Sequence, residues 1–542
     1  VTRRRGRWIF LLVLLLGVAG FTGVWYAAAG PDSGSAPRFG GVYVEGVAGS
    51  PARINPLYAN QNSTDQSLVS LVFAGLTRLD EHGVAFPDLA DTWQVSSDGR
   101  VYTFTLRQGL LWQDGAPLTT DDVLFTFELL RSPALRSPPP LAKLLANATI
   151  TRQSNLTLRI ELQQPFAPLP AYMTLGILPA HLLQNQGAAS MFDAAFNQRP
   201  VGSGPYSLQE LTPDRAVLVA NPGYHFGQPF VQRIEMRFYR DEGAVLAALR
   251  AKQIDGALFS AGLAPADLFY LGRRSDLRLS RLPTTETVYV YLNLKLDIFQ
   301  DRRVRQALLY ALDRDAIIKD IFDDQVLRAD SPIGEGSWAN QPSLARYATD
   351  PSIAGLLLDE AGWRLNSANV RRKDGKDLAF TLSTNSDPVR VAVARAISEA
   401  WGAIGVTVTV STTGSTTLVR DMLEPRTYEA ALFARVGEAD PDPYLEWHST
   451  QAGPKGANLS SLSDPRFDHV LEDARLLASP TQRKDLYAQF QELFAQEVPA
   501  LPLYTSTALY VLPAEMKGAR PGLLSDAGDR FWQVQEWYLK TR

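Results

Sequence analysis

Two hydrophobic periods take turns along this chain. Period-two or β-branched runs predict strands at VYTFTL (101–106), LTLRIEL (156–162), VYVYLNL (288–294) and VTVTV (406–410). Between such runs, apolar residues recur at helical spacing. Val304, Ala307, Leu308, Ala311 and Leu312 fall at i, +3, +4, +7 and +8, and Val389, Val393, Ala396, Ile397, Ala400, Trp401 and Ile404 form a second stripe. That second helix ends at Gly405 and passes at once into VTVTV. A recurring helix start, an Asp or Ser cap followed by Pro, stands at Asp350-Pro351, Asp387-Pro388, Asp464-Pro465 and Ser479-Pro480. SPPP at 137–140 reads as a loop. The alternation predicts an α/β protein, and 542 residues are too many for one core, so at least two lobes are expected.

One apolar run has no polar partner positions. After an Arg cluster in residues 1–7, Trp8 to Ala29 carries no charge. As a helix it would span about 33 Å, enough for a hydrocarbon core of roughly 30 Å. This predicts a transmembrane anchor over 8–29. A cleaved signal is the alternative, because Ala27-Ala28-Ala29 would suit a small-residue cleavage site. In either case the basic segment 1–7 stays inside, and the chain after a short linker (30–37) is exported to the extracytoplasmic face. No other segment approaches a membrane span, which excludes a channel or permease.

Composition narrows the chemistry. The chain is 45% hydrophobic and 20% charged, which excludes a disordered or coiled-coil protein. Its net charge is −4, so it has no electrostatic reason to bind nucleic acid. The absence of cysteine excludes disulfides, thiol catalysis and lipid attachment to an N-terminal Cys. The five histidines form no HExxH or other metal pair, and there is no GxSxG elbow, phosphate loop or dinucleotide fingerprint. Pro205 follows Gly202-Ser203-Gly204 and forbids the helix a phosphate loop needs. ADPDPY at 439–444 lacks the Gly and distal Glu of a calcium loop. No enzyme, cofactor or resident metal is expected.

The ordered motifs carry more. LADTWQVSSDGRVYTFTLRQGLLWQDGAPLTTDDVLFTFELL at 89–130 is followed by VGSGPYSL at 201–208, NPGYHFG at 221–227 and YLNLKLDIFQDRRVRQALLYALDRDAI at 291–317. LLLDEAGW at 356–363, DPDPY at 440–444 and VPALPLY at 498–504 complete the series. This set resembles the family 5 extracytoplasmic solute-binding proteins, the oligopeptide- and dipeptide-binding receptors of ABC importers. The resemblance covers residues 38 to 510.

It implies a two-lobed periplasmic-binding-protein-like α/β fold of the type II or cluster C kind, with the ligand cleft between lobes. Lobe I is expected over 38–286, lobe II over 287–505, and a return to lobe I over 506–542. The crossings are expected near 287–294 and 501–506. FWQVQEWYL at 531–539 reads as an amphipathic closing strand, Asp98-Gly99 as a hairpin turn and Asp121 as a helix cap. Trp401 belongs to the packing stripe.

For the ligand, peptide-binding relatives place an Asp just before the Asp-Pro loop, where it meets the peptide ammonium group. Glu438 is the nearest acid here, one residue out of step before Asp440. The dipeptide pattern is not met: Arg435 stands where a Trp is expected, and Ser383-Thr384-Asn385 where an Arg for the peptide carboxylate is expected. Glu438, Asp440, Arg435 and Trp447 are therefore the candidate ligand residues, and pairing of Arg435 with Glu438 is the purely structural alternative. Trp338 and Trp447 are expected to report on ligand by fluorescence. The implied partners are a peptide or other small solute and the permease subunits of an ABC transporter, with the receptor acting as a monomer. A sensor without import, or a receptor for an oligosaccharide or metal complex, stands as the alternative.

Overall fold

The computed structural model describes residues 37–344 and 347–539. The expected anchor, 8–29, lies outside the described residues, as do the basic segment and all but the last residue of the linker. Among the described residues no helix is long and apolar enough to cross a membrane.

The chain folds as α/β in two lobes sharing one eleven-stranded sheet. From one edge its strands are Thr407–Thr413, Ala379–Asn385, Ala430–Val436, Leu277–Leu292, Ala500–Pro513, Gly256–Phe259, Val42–Ala48, Arg233–Tyr239, Arg215–Ala220 and Tyr206–Leu211, while Leu327–Arg328 pairs off the path with Ala500–Pro513. The two central strands are 16 and 14 residues long. At ~3.4 Å per residue each reaches roughly 50 Å, enough to serve two cores. They lie antiparallel, Leu277 to Pro283 against Pro513 to Thr507, then Thr287 to Tyr291 against Thr505 to Ala500. The register breaks between Pro283 and Thr287. Pro283 has no N–H to give, so it belongs at such an interruption.

The apolar cores divide at the same place. Two clusters draw on residues between 43 and 282 and on 508–537, and two others draw only on 288–504. The strands Val101–Leu106, Thr157–Glu161 and Thr407–Thr413 stand where the period-two runs place them. VYVYLNL falls in the second half of the much longer Leu277–Leu292 strand. All four Asp/Ser-Pro signals start helices, Pro351–Glu360, Pro388–Ala403, Pro465–Leu476 and Pro480–Glu497. The three Asp side chains accept backbone N–H groups, and Ser479 does not. Trp401 is fully buried and its indole N–H donates to the Leu308 carbonyl at 2.8 Å, a packing role.

Two local expectations change. Helix Thr120–Arg131 is capped by Thr119, with the Asp122 carboxylate accepting the Thr119 N–H, so Asp121 sits in the first turn instead. Residues 531–539 form no continuous strand: two 3₁₀ turns, Ala527–Phe531 and Val534–Glu536, precede the two-residue strand Tyr538–Leu539. Phe531, Val534 and Trp537, each nearly fully buried, recur every third residue, which is the period of a 3₁₀ helix. Gln533 between them takes φ 55°, a left-handed conformation that no strand continues through.

That C-terminal segment is tied into the first core by charge. Glu45 and Arg530 are both buried and meet at 2.7 Å. The hydroxyls of Tyr43 and Tyr510 also donate to Glu45, at 2.9 and 3.0 Å. A buried carboxylate persists only when its lone pairs are used in this way.

Candidate functional site

A cavity of about 600 Å³ lies between the lobes. Its first-lobe wall comes from segments 140–148 and 162–166 and from Tyr172, and its second-lobe wall from 332–337, 435–446 and Arg475. Thr284, Thr285 and Thr287, at the register break, close it on the side of the crossings. A second chamber of about 660 Å³ adjoins it and shares Pro140, Tyr172 and the run Gly437 to Asp440. The lobes touch around these spaces. The Ala167 N–H donates to the Arg475 carbonyl and the Trp338 N–H to the His82 carbonyl, both at 3.0 Å. Beside the crossings, the Gln325 amide exchanges two hydrogen bonds with the Leu263 backbone, at 2.7 and 2.8 Å.

The charged wall of the cavity follows from how strand Ala430–Val436 ends. The chain leaves the sheet at Val436, runs through Gly437–Glu438–Ala439 into the Asp-Pro repeat, and re-enters a helical turn at Tyr444–Trp447. Along this stretch each acid but one has its own arginine. Asp440 takes both terminal nitrogens of buried Arg483, at 2.8 and 2.5 Å. Asp442 takes Arg475 at 2.7 and 2.8 Å, and Arg475 in turn stacks over Tyr444 at 3.7 Å. Glu446 takes the Arg435 Nε at 2.6 Å. Burial pushes the Glu446 carboxyl up, and Arg435 opposes the shift. At that distance the contact is a charge-assisted hydrogen bond between ions.

Glu438 is the exception. It makes no hydrogen bond or ion pair with any described residue, and its surface opens onto the cavity. Burial between the walls raises its carboxyl above the ordinary glutamate value, Arg435 pulls it down, and Glu446 adds to the rise. Tyr172 faces this group from the first lobe; burial raises its phenol first, and the carboxylates of Glu438 and Asp442 add to that.

Of the four residues singled out in the sequence, Arg435, Glu438 and Asp440 line the cavity together. Arg435 pairs with Glu446 and not with Glu438, and Asp440 is consumed by Arg483. Trp447 does not reach the cavity. It is 1% exposed, packed against Tyr289, Tyr291 and Phe494 at ring distances of 6.0, 6.3 and 4.7 Å, because its helical turn directs it into the second lobe's core. Ser383 and Thr384 are buried as well, and the Thr384 hydroxyl donates to the Leu432 carbonyl at 3.1 Å. Sequence reasoning missed Arg475, Arg483 and Tyr172. The two arginines sit on neighbouring helices, and nothing in their spacing says which Asp each will meet.

Four histidines have local structural partners: His82 the Gly336 carbonyl at 3.2 Å, His181 Asp114 at 2.8 Å, His225 Asp88 at 2.6 Å, and His448 Glu472 at 3.2 Å. Among the described residues no group of three or more His, Cys, Asp or Glu is placed to hold a metal ion.

Two lobes joined by adjacent crossing strands, with a charged cavity between them, define a bilobal binding protein. The family described as "Bacterial extracellular solute-binding proteins, family 5 Middle" matches residues 85–456, and the chain belongs to that family. It is 27% identical over 518 residues to the oligopeptide-binding protein AppA of Bacillus subtilis, covering 94% of this chain and 93% of AppA. It is 30% identical over 539 residues to protein XP55 of Streptomyces lividans, covering 96% and 95%. Among solved structures, AppA of Bacillus subtilis in complex with a nonapeptide superposes with a TM-score of 0.66 at 25% identity, covering 93% of this chain and 100% of AppA. NikZ of Campylobacter jejuni in complex with Ni(L-His) superposes with a TM-score of 0.67 at 28% identity, covering 92% and 99%.

Proposed function

We propose that this protein is the extracytoplasmic receptor of an ABC importer, that it binds peptides by their free amino terminus, and that it hands them unmodified to a membrane permease. The observation that carries the reading is Glu438, the one acid of the cavity-lining stretch 437–446 without an arginine. An ammonium group entering a closing cleft loses its water and needs a charged partner, and Glu438 is the acid left free for it. The names and bound ligands of the oligopeptide-binding relatives support the same class of solute.

Mechanism follows from the crossings. Lobe I (38–286 with 506–542) and lobe II (287–505) hinge at the break between Pro283 and Thr287 and across Thr505 and Thr507. Ligand bound to one wall gains contacts from the other on closure, and that difference in affinity shifts the population to the closed form. The receptor acts as a monomer held at the membrane by residues 8–29; a native N-terminus at Gly30 or Pro31 would replace the anchor by a cleaved signal.

Calorimetric titration with free and N-acetylated peptides tests the reading. Free peptides bind, acetylation weakens binding, and the peptide is recovered intact. Equal binding of both forms would sink the ammonium site. It would favour the second reading, a non-peptide solute such as the metal complex held by NikZ. Peptide turnover would refute a pure receptor.

A further inference from the structure

The second chamber contains a cation that the fold leaves unused. Arg78 lies on the short strand Thr77–Leu79 of the first lobe and lines that chamber, on the opposite side of the cleft from Glu438. Its guanidinium carbon lies 4.0 Å from the centre of the Phe226 ring, a cation–π contact. Yet it forms no hydrogen bond or ion pair with any described residue, and its Nε is buried without a partner. Of the acids lining the same chamber, Glu438 stands on the opposite lobe and the others are already engaged. Asp88 pairs with His225 at 2.6 Å, Asp440 with Arg483, Asp529 accepts from Ser525 and Asp526, and Asp526 accepts the Gly528 N–H at 2.6 Å. A planar guanidinium held in place with free donors suits a carboxylate, which it can meet through two parallel hydrogen bonds.

We infer that Arg78 receives a carboxylate of the ligand, so that the cleft reads a zwitterionic peptide at two points: its ammonium group at Glu438 on the second lobe and a carboxylate at Arg78 on the first. The inference rests on the ammonium reading of Glu438 and extends it. The chambers meet at Tyr172 and Glu438, so a peptide whose amino end sits at Glu438 continues directly into the space Arg78 lines. A ligand held by opposite charges on opposite lobes also couples its own length to closure. The carboxylate is either the peptide's carboxyl terminus or an acidic side chain, and the two sources separate experimentally.

The test is calorimetric titration of wild type, Arg78→Met and Arg78→Lys with alanine oligopeptides of increasing length. Each is offered with a free or amidated carboxyl terminus and with a free or acetylated amino terminus. Amidated peptides ending in Asp or in Asn form a further arm. Loss of a charge-assisted hydrogen bond weakens binding by about tenfold to a hundredfold. Amidation is therefore expected to cost wild type that much and Arg78→Met little more, with Arg78→Lys recovering part. Recovery of affinity by the Asp peptide but not the Asn peptide assigns the contact to a side chain. Acetylation must still weaken binding to Arg78→Met, which also shows the variant folded and competent. If amidation and Asp both leave wild-type affinity unchanged, the Arg78 site is wrong while the acetylation effect keeps the Glu438 reading standing. If amidation costs wild type and Arg78→Met equally, the carboxylate is held elsewhere, with Lys143 on the first cavity's wall as the next group to substitute, and the inference is overturned. Failure of every peptide to bind removes both readings together.

Discussion

Arg435 gives its Nε to Glu446 at 2.6 Å and so leaves the nearer acid in sequence, Glu438, without an ion pair. The choice sets the charge the cavity presents. Were Glu446 neutral, Arg435 would be free to turn to Glu438 and cancel it. Glu446→Gln is therefore expected to weaken binding of free peptides by about tenfold and to reduce their advantage over acetylated ones, although in the proposed site residue 446 does not itself meet the ammonium group. Titration of both peptide forms checks this; an unchanged preference would show that Arg435 stays where it is.

Glu438 carries a pH signature. Its folded-state carboxyl is raised above the ordinary glutamate value of 4.5. As pH rises from that value to the raised one, the unfolded chain releases the proton first. Unliganded stability attributable to this group therefore falls across that window and stays level above it. Peptide affinity should climb through the same window as the carboxylate forms. In Glu438→Gln both trends disappear, unliganded stability is equal to or above wild type at neutral pH, and affinity for free peptides falls by about tenfold to a hundredfold. Denaturant unfolding and titration across pH measure the two halves separately. A variant that lost stability at neutral pH would mark Glu438 as structural.

The buried pair of Glu45 and Arg530 should behave in the opposite way. Arg530→Met strands a carboxylate in the first core and is expected to cost about 3–5 kcal/mol of stability. Glu45→Gln combined with Arg530→Met should cost clearly less than the sum of the single changes, because both remove one interaction. Chemical unfolding of the four proteins completes the cycle, and additivity within error would mean that the two groups do not depend on each other.

Phe166 of the first lobe lies 5.2 Å from the Arg475 guanidinium of the second, next to the hydrogen bond from Ala167 to Arg475. A partly buried contact of this kind contributes ~0.5–1 kcal/mol to the closed form. Phe166→Ala is expected to weaken peptide binding about two- to fivefold through a smaller closed population. Solution scattering should show a larger radius without ligand and the wild-type radius at saturation. An unaltered unliganded radius would place the effect elsewhere.

The legible parts of this protein are those where one short segment decides the outcome. An Asp with Pro behind it starts a helix at Asp350, Asp387 and Asp464, though not at Asp440 in the Asp-Pro loop, and VYTFTL pleats because every second residue finds an apolar face. The two crossings were harder, since VYVYLNL looks like an ordinary strand. Its continuation back to Leu277 depends on a partner more than 200 residues away in sequence, as the pairing of Thr287 with Thr505 illustrates. Residues 531–539 misled for a related reason. Alternation suggested a strand, while the buried residues follow a three-residue period set by a left-handed Gln533. At the site, position before the Asp-Pro loop was enough to place Glu438 on the cavity wall. Which acid each arginine would take was not legible, because three arginines reach one loop from different elements. Trp447 looked available because its sequence neighbourhood is loop-like, yet a single helical turn was enough to bury it.

Glu45 and Arg530 are 485 residues apart, yet the first core holds neither charge without the other. At ~5–20 residues per second a ribosome needs roughly 25 to 100 s to cover that interval. Throughout that time the first lobe contains a carboxylate that disfavours its own burial and lacks the aromatic residues Phe531 and Trp537. The lobe made first is thus the lobe finished last, because its core closes only once the segment holding Arg530, Phe531 and Trp537 has been made.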